Sequence, residues 1–298
     1  MINLIRILVA AFLFCPLSLF AEKASTVDTD DKIAYECERI SGKLASVNYD
    51  ECFNKNFSLS GGYSVNNVPI LIKEYPPLDS REPLGRVLLF GGIHGDEYSS
   101  VSIVFKWMNI LDHHHSGLFH WHIMPLLNPD GLLQKSSSRV NANGVDLNRN
   151  FPTTNWEEES EYYWIEKTKS NPRRYPGKSA LSEPESRLLV EEIREFNPDI
   201  IVTIHAPHGI VDYNEPHNGP YKLGRLYLNL LGTYPGSLGR YAGVLKHVPV
   251  VTIELPYAEI MPKSGEISHI WRDLISWLSK NISESNLKIA QDHETDPS

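Results

Sequence analysis

Val87-Leu88-Leu89-Phe90 is an unbroken apolar run that empties into Gly91-Gly92-Ile93-His94-Gly95-Asp96-Glu97. Four consecutive apolar residues closed by glycines predict a short strand covered on both faces, because a strand with one wet face alternates. Residues 98–111 then carry Val101, Val104, Phe105, Met108 and Leu111 at helical intervals, which predicts a helix with one apolar side. Strand followed by helix is a βα unit, and the same grammar recurs on both sides of it. Downstream, residues 119–127 predict a second strand stopped by the turn residues Asn128-Pro129-Asp130-Gly131, and residues 200–204 and 248–255 predict two more buried strands. Helical patterns fall at residues 182–196, 221–231 and 267–279, the first opened by Ser182 as N-cap with Pro184 in its first turn. Upstream, residues 33–47 are weakly helical, and residues 68–75 form an extended segment ended by Pro76-Pro77. This alternation predicts a single α/β domain with a mixed, mostly parallel, twisted sheet flanked by helices.

The composition is compatible with one large core. Of 298 residues 41% are hydrophobic and 22% charged, far from a disordered composition. The net charge of −9 argues against a nucleic-acid partner, since phosphate neutralisation needs a basic surface. Residues 1–21 have the form of a secretory signal peptide: Arg6, an apolar stretch, a small residue at Ala21, and a polar run directly after. An uncleaved anchor is the alternative; after cleavage no stable membrane span is expected, and the location is secreted, periplasmic. Residues 22–60 then form an N-terminal segment containing Cys37 and Cys52, an even pair in an oxidising compartment and hence a candidate disulfide. Residues 61–282 make the main α/β domain and residues 283–298 a polar tail.

Ligands in open α/β sheets sit beyond the carboxyl ends of the strands. The first buried run exits into His94 and Glu97, the third ends in His205, and the fourth carries Glu254. A catalytic zinc takes three protein ligands and keeps one position open, and two histidines with one glutamate are a known set. His94, Glu97 and His205 match that count. If a helix begins near Gly95, Glu97 falls on the same side as His94. Glu254 is then left to take a proton from the attacking water and pass it to the leaving amine. His113, His114 and His115 read as an exposed loop, and His208 as a neighbour of the site without a ligand role.

Between these strands lies a long polar passage, residues 132–180, containing Arg139 and then Asn143-Gly144-Val145-Asp146-Leu147-Asn148-Arg149-Asn150-Phe151-Pro152. With His94-Gly95-Asp96-Glu97, Thr203-Ile204-His205-Ala206-Pro207 and Thr252-Ile253-Glu254-Leu255, this order of motifs resembles the zinc carboxypeptidase family, within it the murein peptide amidases. The resemblance spans residues 61–278. It implies one Zn2+ per chain held by His94, Glu97 and His205, with Glu254 as the catalytic base. It also implies that Asn148 and Arg149 hold the carboxylate of the leaving residue, that Arg139 stabilises the oxyanion, and that Tyr234 is a substrate-binding loop residue. Arg149 suits its part on physical grounds too, because a planar fork of donors grips a carboxylate bidentately and an ammonium does not.

These readings combine into a zinc metallopeptidase that cuts an amide in peptidoglycan-derived peptides, the γ-D-glutamyl-diaminopimelate bond, with a muropeptide as its partner. A general metallocarboxypeptidase or a deacylase is the alternative among enzymes. A non-catalytic binder of cell-wall peptides is the alternative outside them.

Overall fold

A computed structural model of the chain describes residues 17–214 and 219–294. The first sixteen residues of the leader expected at 1–21 lie outside these, as do the last four of the polar tail. The elements begin with helices α1 (Leu17–Lys43) and α2 (Tyr49–Phe53), strands β1 (Ser58–Tyr63), β2 (Pro69–Tyr75) and β3 (Arg86–Phe90), and helix α3 (Tyr98–His114). Strand β4 (His120–Met124) and helices α4 (Pro129–Leu133), α5 (Trp156–Tyr162) and α6 (Pro184–Phe196) come next. Strands β5 (Ile200–His205), β6 (Ile210–Asn214), β7 (Lys222–Leu223), β8 (Leu226–Leu228) and β9 (Val250–Glu254) precede helix α7 (Ser264–Glu294).

The strands form one mixed sheet in the order β1-β2-β4-β3-β5-β9-β6-β8-β7. Its centre, β4-β3-β5-β9, is parallel, and antiparallel pairs flank it on both sides. The unbroken apolar runs behave as their composition requires. Val87 and Leu89 pack with Trp107, Trp121 and Trp271 on one face, while Leu88 and Phe90 pack with Phe151, Leu189 and Tyr241 on the other. Strand β5 alternates in the same way, with Val202 and Ile204 on the first face and Ile201 on the second.

Among the described residues no helix is long and apolar enough to cross a membrane. Cys37 of α1 and Cys52 of α2 are joined by a disulfide with their Cα atoms 5.5 Å apart.

Three local expectations are corrected. Residues 221–231 are not helical but form the β7–β8 hairpin, in which Gly224 at φ +60° and Arg225 make a two-residue turn and Leu223 pairs with Leu226. Ser182 does not cap α6: Glu183 holds the N-cap position, and the Ser182 hydroxyl donates to the Glu183 carboxylate instead. Helix α3 starts at Tyr98 rather than near Gly95, so His94 and Glu97 are set by a turn, not by a helical face. The end of α6 agrees with the sequence reading, because Asn197 takes a left-handed conformation as its C-cap directly before Pro198.

Candidate metal centre and substrate cavity

Three neighbouring parallel strands deliver the site. Phe90 of β3 lies level with Thr203 of β5, and His205 of β5 pairs with Glu254 of β9, so one histidine and the candidate base are ladder neighbours. His94 and Glu97 come from the turn that leaves β3. That turn needs glycine at position 95, where a Cβ would stand 2.1 Å from the Gly131 carbonyl carbon and 2.3 Å from the Leu132 nitrogen. Glu97 is the N-cap residue of α3, yet its carboxylate makes no cap bond because it points to the imidazoles. The helix start is served from elsewhere: the Ser99 amide donates to the Ala258 carbonyl at 2.7 Å, in the loop after β9.

Glu97 Oε1 lies 2.8 Å from His94 Nδ1, Glu97 Oε2 lies 3.2 Å from His205 Nδ1, and the two Nδ1 atoms are 3.2 Å apart. Metal–donor bonds of 2.0–2.1 Å in a tetrahedron separate neighbouring donors by about 3.3 Å, so this triangle fits a zinc ion. All three residues are buried. Burial opposes the charge of Glu97, but the two imidazoles prevail and hold its carboxyl well below the usual range.

Asp146 supports this triangle from behind. Fully buried, it accepts from His94 Nε2 at 3.1 Å, from Arg139 Nε at 3.0 Å and from the Asn148 amide at 3.1 Å. Holding Nε2 of His94 as the donor leaves Nδ1 with its lone pair turned to Glu97 and His205, the arrangement by which a carboxylate orients a metal-binding imidazole. Desolvation works against ionisation here as well, and Arg139, His94 and Arg149 outweigh it, keeping the Asp146 carboxyl well below its ordinary value. Arg139 also reaches Glu97 Oε1 at 3.4 Å.

The cluster opens onto a cavity of about 520 Å³ whose walls include Asn148, Arg149, Tyr234, Asp212, Arg174 and Glu254. The Arg149 guanidinium lies under the Tyr234 ring, 4.6 Å from its centroid, and donates to the Asn148 carbonyl at 2.6 Å. Its Nε is buried and has no hydrogen-bond partner among the described residues. Burial, opposed by Asp146 and reinforced by Arg139 and Arg174, brings this guanidinium down to about 10, still cationic at neutral pH. Asn148 is fixed by the Leu238 amide, which donates to its Oδ1 at 2.8 Å. The loop bearing Tyr234 presses so closely on this segment that a Cβ at Gly236, φ +70°, would meet the Arg149 carbonyl oxygen at 1.8 Å. Glu254 is almost fully buried, and its Oε2 accepts from the His208 amide at 3.4 Å.

All eight residues singled out from the sequence therefore line one cavity, with Asp146 behind it. His113 and His114, expected in an exposed loop, are exposed but form the last turn of α3, and His115 is its C-cap, away from the cavity. Sequence reasoning missed Asp146, Arg174 and Asp212. Asp146 stands two places before Asn148 in a passage without periodicity, so only its partners reveal it. Asp212 was visible as a carboxylate inside the apolar run Ile210-Val211-Asp212-Tyr213.

Such a fold and donor set define a hydrolytic metalloenzyme. The zinc carboxypeptidase family model matches residues 58–219, and the chain belongs to that family, whose members use one Zn2+. Murein peptide amidase A of Escherichia coli K12 is 31% identical over 201 residues, 65% of this chain and 81% of that protein. The protein of the same name from Vibrio campbellii is 32% identical over 205 residues, 66% of this chain and 78% of its own. Among solved structures, murein-tripeptide amidase MpaA from Escherichia coli O157 superposes with a TM-score of 0.52 at 26% identity, covering 76% of this chain and 91% of that one.

Proposed function

We propose that this hydrolase cuts the amide between γ-D-glutamate and diaminopimelate in peptidoglycan-derived peptides, using zinc held by His94, Glu97 and His205. The observation that carries the reading is Arg149: a buried guanidinium with an unpartnered Nε, stacked on Tyr234, on the wall of the cavity that contains the donor triangle. A buried cation of this kind is suited to a substrate carboxylate. Arg174 adds a second cationic group to the cavity and Asp212 an anionic one. A leaving residue that carries two carboxylates and a side-chain ammonium, as diaminopimelate does, complements that set. The names of the amidase relatives support the same substrate class.

When bound, zinc supplies a Lewis acid that polarises the scissile carbonyl and acidifies water. Arg149 and Asn148 hold the free carboxylate of the leaving residue and so fix where the amide lies. Glu254 takes a proton from the attacking water as its oxygen bonds to the carbonyl carbon. Arg139 offers donors to the oxygen that gains charge. Glu254 then returns the proton to the amine nitrogen as the carbon–nitrogen bond breaks, leaving a γ-carboxylate and a free amine. The proposal includes export to the periplasm after removal of residues 1–21, and the Cys37–Cys52 bond supports an oxidising location.

The test is a substrate panel read by mass spectrometry. Zinc-loaded protein is expected to release diaminopimelate from L-Ala-γ-D-Glu-diaminopimelate and to leave ordinary C-terminal peptides intact. Cleavage of the ordinary peptides alone would assign it to general carboxypeptidases instead.

A further inference from the structure

A second cluster of imidazoles and carboxylates lies at the other end of the sheet. Register places Glu74 of β2 directly opposite His122 of β4, and His120, two residues away, projects to the same face. His120 is level with Arg86, the first residue of β3, whereas the donors of the cavity leave after Phe90, the last. Glu74 Oε1 is 2.8 Å from His120 Nε2 and 3.9 Å from His122 Nε2. The three donor atoms all lie within 4.8 Å of one another.

Two features separate this group from a chance surface ion pair. His122 Nδ1 is 2.5 Å from Glu192 Oε1 of α6. With Nδ1–H donating to that carboxylate, the neutral ring has its lone pair on Nε2, the atom turned to Glu74. This is the relation seen between Asp146 and His94, with the ring nitrogens exchanged. Both rings are also held by packing: Phe196 stacks on His122 at 3.7 Å with planes 13° apart and meets His120 edge-on at 5.0 Å. The Arg86 guanidinium is engaged at the Phe196 carbonyl, to which it donates at 3.0 Å.

We propose that Glu74, His120 and His122 form a second, peripheral binding site for a divalent ion of the zinc type, with Glu192 as the carboxylate that orients His122. Nitrogen and oxygen donors in this ratio suit Zn2+. The Glu74 side chain is 54% exposed, so the ion enters from solvent and water completes its coordination. Bound there, it ties β2, β4 and, through Glu192, α6 together at the end of the sheet away from the cavity. The inference does not depend on which amide the enzyme cuts.

The test is titration of Zn2+ alone into protein already carrying one equivalent, followed by calorimetry and equilibrium dialysis. Wild type is expected to take up a second equivalent. H120A/H122A and E74Q are expected to lose it while keeping the first equivalent and the hydrolytic rate. Glu192→Gln, which leaves all three donors in place, is expected to weaken the second site by about 10- to 100-fold. Should the double variant fold poorly, the single substitutions E74Q and E192Q, which keep side-chain size, still decide the matter. A wild type that stops at one equivalent under excess Zn2+ overturns the proposal. So does a second equivalent that survives in E74Q at unchanged affinity, which would place that ion outside this cluster.

Discussion

Replacing Asp146 by Asn removes one negative charge from the most buried part of the site and changes almost no volume. In the native protein that charge faces His94, Arg139 and, at 3.9 Å, Arg174. An Asn oxygen can replace one of these acceptor contacts, but its amide hydrogens then oppose a second donor. Arg139, buried too, would keep Glu97 as its ion-pair partner among the described residues, at 3.4 Å. Stranding one member of a buried ion pair costs about 3–5 kcal/mol, and the remaining Glu97 contact places this case near 3 kcal/mol. His94 would also lose the acceptor that fixes its tautomer, for which a fall of about 10- to 100-fold in zinc affinity is expected. Urea midpoints of the zinc-free protein measure the first effect, and chelator competition measures the second. If D146N showed the wild-type midpoint and the wild-type zinc affinity, the supporting role of Asp146 would be wrong.

Arg149→Lys should keep the charge yet lose the planar fork and the stack on Tyr234; with about 1.5–3 kcal/mol of charge-assisted hydrogen bonding at stake, kcat/KM should fall roughly 10- to 150-fold, read by steady-state kinetics. Burial raises the Glu185 carboxyl from 4.5 to about 7, so its contribution is fully present below pH 4.5 and is lost as pH rises through about 7. Wild type should therefore lose up to about 3 kcal/mol over that window, and a chemical-denaturation series in which E185Q kept the same slope would exclude Glu185 as its source. Removing the Cys37–Cys52 bond, which closes a loop of 15-residue separation, should lower stability by about 3 kcal/mol, measured as the midpoint shift between oxidised and reduced protein.

The parts of this fold that were legible are those where one residue type has one use. A run such as Val87 to Phe90 has no wet face and can only be a covered strand, and a histidine at its exit is delivered to the strand end by chain length alone. Three of the four strands read from the sequence, β3, β5 and β9, are the ones that bring His94, Glu97, His205 and Glu254 together. What was misread lay where tertiary pairing overrides a weak local pattern. Residues 221–231 space their leucines ambiguously, and the Gly224 turn with the edge of β6 settles them as a hairpin. Ser182 is a good N-cap by type, but Asn150 and Glu183 compete for its hydroxyl. Asp146 and Arg174 sit in a passage whose form follows from hydrogen bonds to distant segments, such as the Asp146 amide to the Tyr175 carbonyl, and those leave no periodic trace.

The most direct test is Glu254→Gln, with bound zinc and tripeptide cleavage measured on the same preparation. The substitution keeps size and hydrogen-bonding reach but cannot accept the proton of the attacking water. A zinc content equal to that of wild type and turnover reduced by at least about 100-fold are expected, the lower end of what a positioned general base contributes. A variant that held its zinc and cleaved the tripeptide at the wild-type rate would contradict the assignment of Glu254 as the base.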